Sequence, residues 1–357
     1  MIYRNFHSLA VGLSLAILPG ATAIASDGGQ PLEEVVVTAV RMSAPAKALP
    51  NRVTLIDRSA LSEQLAISTS TLDALGTNVP SFAPTRQKMT GSGETMRGRE
   101  PLYMIDGVPQ SNPLRNGQRD GFTLDPAVID RIEVLYGANA IQGIGATGGI
   151  VNYVTRSAAA EPRTNVELGF TSGGAGASDG YGTRASVTTA QQLGAVDVVA
   201  SVAAERRGAF YDANGDRVGV DNVQGDIQDS QSLNLFTKLG WNAGDNTRMQ
   251  LMLNKVDLEG DGDYVPVTGD RDLGIPVISV RGDFDGSPPE NKVRTASLDV
   301  THDFTNGSTL KGQLYYQDFE SVFGGGRFGT FQDPAIDPSG NLFDQSSNNS
   351  EKHGLKL

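Results

Sequence analysis

From Arg163 onward the chain alternates apolar and polar residues in runs of about ten, the period of a strand with one face in an apolar phase. Val166, Leu168 and Phe170 share a face opposite Asn165 and Glu167. Val196, Val198, Ala200 and Val202 stand against Asp197 and Ser201, and Leu233, Leu235, Leu239 and Trp241 against Asn234 and Lys238. Met249, Leu251 and Leu253 continue the pattern. Ala296, Leu298, Val300 and Phe304 face away from Ser297, Asp299 and Asp303, and Leu310, Leu314 and Tyr316 away from Lys311 and Gln313. Short turns at 191–195, 242–246 and 305–308 alternate with long polar loops at 171–182, 207–230, 257–291 and 321–349. Loop lengths segregated in this way predict an antiparallel membrane β-barrel, with about seven strands and the start of an eighth near Glu351–Leu357. Trp241, Phe304 and Tyr316 are expected in the aromatic girdles at its two interfaces.

The preceding hundred or so residues, from Arg52 to Thr155, have another texture. Val53–Ile56 reads as a strand. Asp57–Leu75 carries Leu61, Leu65, Ile67, Leu72 and Leu75 at partly helical spacing, with Asp57 and Ser59 as candidate caps. Glu94–Glu100, Leu102–Ile105 and Ile132–Leu135 read as strands, with Asp106-Gly107 as a hairpin dipeptide. The stretch Asp125–Arg156 organises this part: a strand, glycines at 137, 143, 145, 148 and 149, then the β-branched run Ile150–Thr155. The expectation is a small α+β domain. Its middle is basic, through Arg86, Lys88, Arg97, Arg99, Arg115 and Arg119. Those side chains either form a face that attracts anionic ligands or pair with carboxylates, including carboxylates on a surrounding wall.

The N-terminus reads as a secretory signal over residues 1–25. Arg4 supplies the charge, Leu9–Leu18 the apolar core, Pro19-Gly20 the break and Ala23-Ile24-Ala25 the cleavage site. No later apolar run reaches the length of a membrane helix. Glu33-Glu34-Val35-Val36-Val37-Thr38-Ala39 is a short β-prone run in a polar segment, suited to adding itself to a partner's exposed sheet edge. Ser43–Pro50 reads as a linker.

Composition narrows the function classes. A net charge of −12 argues against nucleic acid, and the absence of cysteine excludes disulfides and thiolate metal sites. Mean hydropathy of −0.24 is compatible with a barrel that shows lipid only one face of each strand. Gly143–Gly148 matches G-x-G-x-x-G, but the following Gly149–Val154 is strand-forming, so the helix that a nucleotide site needs is missing. Gly176-Ala177-Ser178-Asp179-Gly180 matches a nucleophile elbow, yet it sits in a loop between strands with only His302 and His353 as partners. Asp212–Asp216 begins like a calcium loop, but Arg217 replaces the glycine and Val223 the bidentate glutamate. The Asp-rich loop Asp257–Asp272 reads as solvated. No catalytic residue, metal site or bound cofactor is expected, and the chain is not read as an enzyme.

Three pieces in order carry a family resemblance. Ile129-Asp130-Arg131-Ile132-Glu133-Val134, Tyr136-Gly137, Ala140, Gly143, Gly148-Gly149 and Asn152 resemble the end of the plug domain of TonB-dependent outer-membrane receptors. Tyr136 stands where that family often has arginine. Met96-Arg97-Gly98 and Tyr103–Pro109 are similar to two earlier plug motifs. The resemblance implies a plug signature at Arg97, Gly98, Asp106, Gly107, Arg131, Glu133, Gly137, Gly148, Gly149 and Asn152. It makes Glu33–Ala39 the TonB box, pulled by a TonB-type energy transducer. It also implies a monomeric outer-membrane receptor of a Gram-negative bacterium that takes up a scarce ligand. The commonest implied cargo is a ferric siderophore, an iron chelate, with cobalamin, haem or oligosaccharide left open, and Arg86, Arg99, Arg115 and Arg119 are the ligand-binding candidates. The expected domains are a signal (1–25), the TonB-box segment and linker (26–50), the plug (51–156) and the first part of the barrel (163–357). The interval between Ala25 and Glu33 leaves no space for an extra signalling domain.

Size adds one expectation. An eight-stranded barrel is filled by its own side chains, whereas plugged barrels need about 22 strands. The fold class is therefore an incomplete membrane β-barrel, about 8 of an implied 22 antiparallel strands, with an N-terminal α+β plug, and the chain is expected to stop inside its barrel. The competing readings are a non-transporting barrel, an adhesin fragment or an inactive receptor remnant, in which Glu33–Ala39 would be dispensable. A secreted esterase is a third, and it would depend on Ser178.

Overall fold

The computed structural model describes residues 36–38, 44–45, 52–91, 93–111, 120–139, 142, 145–158, 162–173, 176–221, 223–282, 286–324, 326–327 and 343–357. The signal segment and Glu33, Glu34, Val35 and Ala39 lie outside them, as do Arg115 and Arg119. Strand β1 (Val36–Val37) pairs antiparallel with β2 (Ala44–Pro45). Val36 stands opposite Pro45, which has no N–H to give, so this two-residue ladder is weak.

Strand β3 (Val53–Ile56) leads into helix α1 (Arg58–Leu65), whose first turn is capped by the Asp57 carboxylate accepting from the Ala60 N–H at 2.9 Å. Helix α2 (Thr71–Asn78) follows with Ser70 as its cap. The single helical stretch expected over 57–75 is thus two helices, and Ser59 lies inside the first rather than capping it. The seam is Ser68-Thr69-Ser70, whose hydroxyls bond to Asp73, to Glu205 and to the Leu72 N–H. Such side-chain bonds compete with a continuing helical ladder. Ile67, read as part of the helix face, lies just before this seam and is exposed.

Strands β4 (Pro101–Ile105), β5 (Val108–Pro109), β6 (Ile129–Tyr136) and β7 (Gly149–Thr155) complete a five-stranded sheet in the order β3-β6-β7-β4-β5. Only β4 and β7 run parallel. Leu61, Leu72 and Leu75 from the helices pack with Ile105, Val134 and Tyr153 from the sheet to form the plug core. Asp106 and Gly107 both adopt positive φ (45° and 83°) and close the β4–β5 hairpin. The segment 94–100 is not the expected strand. Arg97 and Gly98 have φ of 53° and 74°, and the Met96 and Arg99 backbones exchange hydrogen bonds of 2.8 and 3.0 Å. The chain reverses there instead of extending. Gly148 and Gly149 mark a close approach: a Cβ on them would lie 2.4 Å from the Arg99 carbonyl oxygen and 2.3 Å from that of Leu135.

The wall around this domain begins with β8 (Arg163–Ser172), β9 (Tyr181–Leu193), β10 (Val196–Arg207), β11 (Ser230–Asn242) and β12 (Thr247–Gly260). After the loop hairpin β13 (Tyr264–Val267) and β14 (Ile278–Arg281) come β15 (Glu290–Asp303) and β16 (Thr309–Val322). A short pair, β17 (Gly326–Arg327) and β18 (Phe343–Asp344), precedes β19 (Ser347–Lys356). The wall is one antiparallel sheet, β19-β16-β15-β12-β11-β10-β9-β8, with β8 and β19 as its edges. This is the strand count and the loop alternation that periodicity predicts.

The polarity of the wall is that of a membrane barrel. Leu168, Phe170, Leu235 and Leu314 are 81%, 68%, 41% and 56% exposed, while Asn234, Lys238, Asn254, Thr295 and Gln317 are buried. The outward face is therefore apolar, and the inward positions are mostly polar with some apolar side chains such as Val199, Phe236 and Met252 among them. Phe304 is exposed beside a short turn, as an interfacial aromatic should be. Tyr316 is exposed at mid-strand in β16 and is not placed at an interface.

Leu235 lies near the middle of β11 on the outer face, so Leu235→Arg should cost about 2–4 kcal/mol of barrel stability, against about 0–1 kcal/mol for Gln231→Arg near the strand's long-loop end. Urea titration of folding into lipid vesicles measures both, and equal costs would contradict the outward orientation of this face.

Candidate functional site

The centre of the plug's polar face is Glu133, whose side chain is 0% exposed. Residues two apart on a strand share a face, which brings Arg131 beside it on β6 and Asn152 opposite it on β7. Arg131 donates to the Glu133 carboxylate from Nε at 3.1 Å and Nη2 at 2.8 Å, and Asn152 Nδ2 at 3.3 Å. Further contacts come from the N-terminal run. The Thr38 N–H donates to Glu133 Oε2 at 2.9 Å, and the Thr38 hydroxyl lies 3.1 Å from both carboxylate oxygens. Thr38 itself is exposed.

Asn152 links this cluster to the neighbouring turn, because its Oδ1 accepts from the Gly107 N–H at 3.1 Å. The turn in turn is fastened to the wall. Asp106 accepts from the Thr155 N–H at 2.8 Å and faces Lys238 Nζ of β11 at 3.4 Å. Gln313 of β16 donates to the Asp106 carbonyl at 3.0 Å, and Lys356 of β19 to the Gly107 carbonyl at 2.6 Å. Lys352 reaches the Pro109 and Ser111 carbonyls, both at 2.9 Å. A second clamp is the two-pronged pair between Arg184 of β9 and Asp125, at 2.6 and 2.8 Å, with Glu205 at 3.3 Å. Arg58 of α1 pairs with Glu167 of β8 at 2.9 Å.

The apex of the plug meets the long loop between β10 and β11. Lys88 pairs with Asp226 and, at 3.5 Å, with Asp221. The Met89 N–H donates to the Gly225 carbonyl at 2.7 Å, and Met89 packs on Ile227 and Leu258. Of the ligand-binding candidates, Arg86 is exposed beside this apex and Arg99 is exposed at the 97–98 turn. Arg97 lies 5.5 Å from the centroid of the Tyr136 ring, with Arg52 at 5.6 Å. Tyr136, the departure from the family's usual arginine, is thus a cation–π partner for both. Gly137 follows β6 with a φ of 91°.

Ser178 lies in a long loop, whereas His302 bonds to Thr247 at 2.7 Å near the short-turn end of the sheet. Asp179, beside that serine, accepts from the Tyr211 and Tyr264 hydroxyls. Burial opposes its charge, but those two hydroxyls hold its carboxyl below the usual range. Asp212 accepts from the Asn214 and Asp216 N–H groups, both at 2.9 Å, and so caps its own turn. Gly143 and Ile144 of the glycine-rich motif lie outside the described residues, and strand β7 follows where a nucleotide site needs a helix. Among the described residues no group of three or more acidic or histidine side chains could hold a metal ion.

Sequence periodicity flags Asn234 and Lys238 as the polar face of β11 but does not name their partners. The same periodicity flags Gln313 on the polar face of its strand, whereas Arg184 and Glu205 carry no signal beyond a polar residue at an inward strand position and Asp125 is the cap of the short 3-10 turn before β6.

Residues 45–150 match the family model described as the TonB-dependent receptor plug domain. The chain belongs to the TonB-dependent receptors. Over its whole length it is 28% identical to the ferric aerobactin receptor of Klebsiella pneumoniae, covering 48% of that protein. It is 31% identical over 72% of its length to the rhizobactin receptor of Rhizobium meliloti, covering 35% of it. It therefore spans half or less of these curated relatives. The fold of the siderophore receptor PirA from Acinetobacter baumannii superposes with a TM-score of 0.59 at 18% identity, covering 84% of this chain and 44% of that one. TonB-dependent receptors are transport receptors rather than enzymes, and the outer membrane is where this chain resides.

Asp229, at the end of the β10–β11 loop, is pushed up to about 6 by burial and by Asp263 and Asp261, against the pull of Arg217. The ordered loops thus bind a proton more tightly than the free side chain does, so their stability falls as pH rises from about 4 to about 6. Asp229→Asn should remove that dependence and slow proteolysis of the loops at pH 7.5, with no difference from the parent below pH 4. Limited proteolysis across pH reads both. Identical profiles for the two proteins would show that Asp229 does not carry the titration.

Proposed function

We propose that this chain serves energy-coupled uptake of a ferric siderophore across the outer membrane, driven through a TonB-type transducer. The observation that carries this reading is the N-terminal run, docked through Thr38 on a plug whose hairpin is fastened to the inner face of a barrel wall. In this reading Glu33–Ala39 is the partner-binding strand. Its described part pairs only with Ala44–Pro45, and Pro45 leaves that ladder easy to exchange for a partner's strand. The cargo class is supported by relatives named for ferric aerobactin and rhizobactin. Arg86, Arg99, Arg115 and Arg119 are the candidates for contact with an anionic chelate. The boundaries of signal (1–25), box and linker (26–50), plug (51–156) and barrel (163–357) belong to the same proposal. So do the roles of the plug-signature residues, a monomeric state and the absence of enzymatic activity. The work of transport comes from outside the chain.

Deleting Glu33–Ala39 should reduce accumulation of radioiron supplied as a ferric siderophore to the level of energy-depleted cells, while leaving surface binding unchanged. Undiminished accumulation in the deletion strain would refute the energy-coupled reading and favour a non-transporting barrel.

A further inference from the structure

Arg217, the residue that breaks the calcium-loop pattern begun by Asp212–Asp216, sits where three outer loops meet, with 5% of its side chain exposed. Its guanidinium lies over the ring of Tyr264 in the β13–β14 hairpin. Two carboxylates face it. Asp179 of the β8–β9 loop is 3.9 Å away, and Asp229, at the far end of Arg217's own β10–β11 loop, is 3.4 Å away. Yet none of its three side-chain nitrogens makes a hydrogen bond among the described residues. A buried group with five N–H donors is ordinarily bonded. The main chain beside it is pinned, by contrast. The Val218 N–H donates to the Phe210 carbonyl at 2.9 Å, the Ser279 N–H to the Arg217 carbonyl at 3.3 Å and the Asp229 N–H to the Gly208 carbonyl at 3.2 Å. A fixed backbone thus carries a charge that is committed to neither carboxylate. We propose that Arg217 is a proton-controlled clasp that moves between Asp179 and Asp229. Paired with Asp179, it joins the β8–β9 loop to the β10–β11 loop. Paired with Asp229, it closes within its own loop and releases the β8–β9 loop.

The surroundings of the two carboxylates set the direction. The Tyr211 and Tyr264 hydroxyls donate to Asp179 and, against burial, hold its carboxyl below the usual range. Asp179 therefore stays ionised, and it keeps two donors when Arg217 leaves. Asp229 differs. Asp261 and Asp263 face it from the segment before β13, and burial together with these charges pushes it up to about 6 against the pull of Arg217. Asp261 pairs with Arg206 at 3.2 Å and Asp263 with Arg281 at 2.8 Å. Asp221 and Asp226 border the same small pocket as Asp229 and are paired with Lys88. Below about pH 6 Asp229 holds a proton and attracts Arg217 weakly, so Asp179 takes the guanidinium. Above it the ionised Asp229 competes, and the clasped form is lost as pH rises through that value. The β10–β11 loop also meets the plug apex, through Asp226 on Lys88 and Gly225 on Met89. The clasp consequently decides whether the β8–β9 loop moves with the loop over the apex or apart from it.

The chain has no cysteine, so Ser178→Cys with Val223→Cys places one spin label on each of the two loops, at exposed positions. Double electron–electron resonance then reads the distance between them in the full-length receptor in phosphatidylcholine vesicles, without siderophore or transducer. The distribution should be narrow at pH 5. The ratio of broad to narrow components should rise about tenfold by pH 7.5, with its midpoint at about pH 6. Asp229→Asn should hold the narrow distribution at both pH values, and Asp179→Asn the broad one. A clasp that served only to fill space would leave the pH midpoint in place in both variants. Distances that do not change with pH in the parent overturn the clasp. So does a midpoint that survives Asp229→Asn, which would assign the titration to Asp261 or Asp263. If Asp179→Asn fails to fold, the parent and Asp229→Asn decide alone. The labels report on the loops without cargo, so the outcome is independent of what the receptor carries.

Discussion

The inward-facing polar side chains of the wall are what the rest of this structure depends on. A strand that shows lipid its apolar residues must turn the alternate positions the other way, and those positions then meet the plug. The interface between the two parts combines hydrogen bonds and ion pairs with apolar contacts, since Ala190, Val199, Phe236 and Met252 of the wall share a buried cluster with Leu61, Leu72 and Tyr153 of the plug. Lys238, Gln313, Lys352 and Lys356 all reach backbone carbonyls or Asp106 around one hairpin, and Arg184 grips Asp125. Such contacts fix geometry through many directed bonds, each of modest net strength because water competes for the same groups.

The plug, by contrast, holds itself together in the ordinary way. Leu61, Leu72 and Leu75 close one face of its sheet, and Gly148 and Gly149 let β7 approach the Arg99 and Leu135 carbonyls. A side chain at either glycine would push the strands apart, and with them Asn152 and Thr155, which sit further along β7 and carry the contacts to Gly107 and Lys238. The close glycine packing and the polar hub therefore belong to the same strand. Packing sets the register, and register sets which groups face Glu133.

Much of the wall was legible because period two is a simple signal: Leu233 and Leu235 against Asn234 and Lys238 states both the strand and its two faces. The β4–β5 turn was legible for a similar reason, since Asp-Gly supplies positive φ at little cost. Two local readings failed where side chains or rare backbone states intervened. The helix over 57–75 broke at Ser68–Ser70, whose hydroxyls found other partners, and 94–100 turned because Arg97, a residue that seldom adopts positive φ, does so beside Gly98. Cross-chain pairs such as Arg184 with Asp125 were illegible in principle. Nothing in a single sequence says which of many inward polar residues meets a given aspartate dozens of positions away. Glu133 stood out through its motif, but its bond to Thr38 depends on where the N-terminal run lies down.

The contacts along the path from the N-terminal run are graded, and the grading has a direction. Nearest the run is the β1–β2 ladder, two residues long and short of a donor at Pro45. Next comes Thr38, an exposed residue held by Glu133 and Asn152. Beyond it the 106–109 hairpin is tied by four side chains from three wall strands. Tension applied to the run meets these in order of increasing number of bonds. The first two can open while the third stays shut, and both Thr38 and the hairpin border the cavity along β15, β16 and β19. Partial extension of the run would thus leave the plug seated, and opening toward the wall would require force that persists after the run has come free.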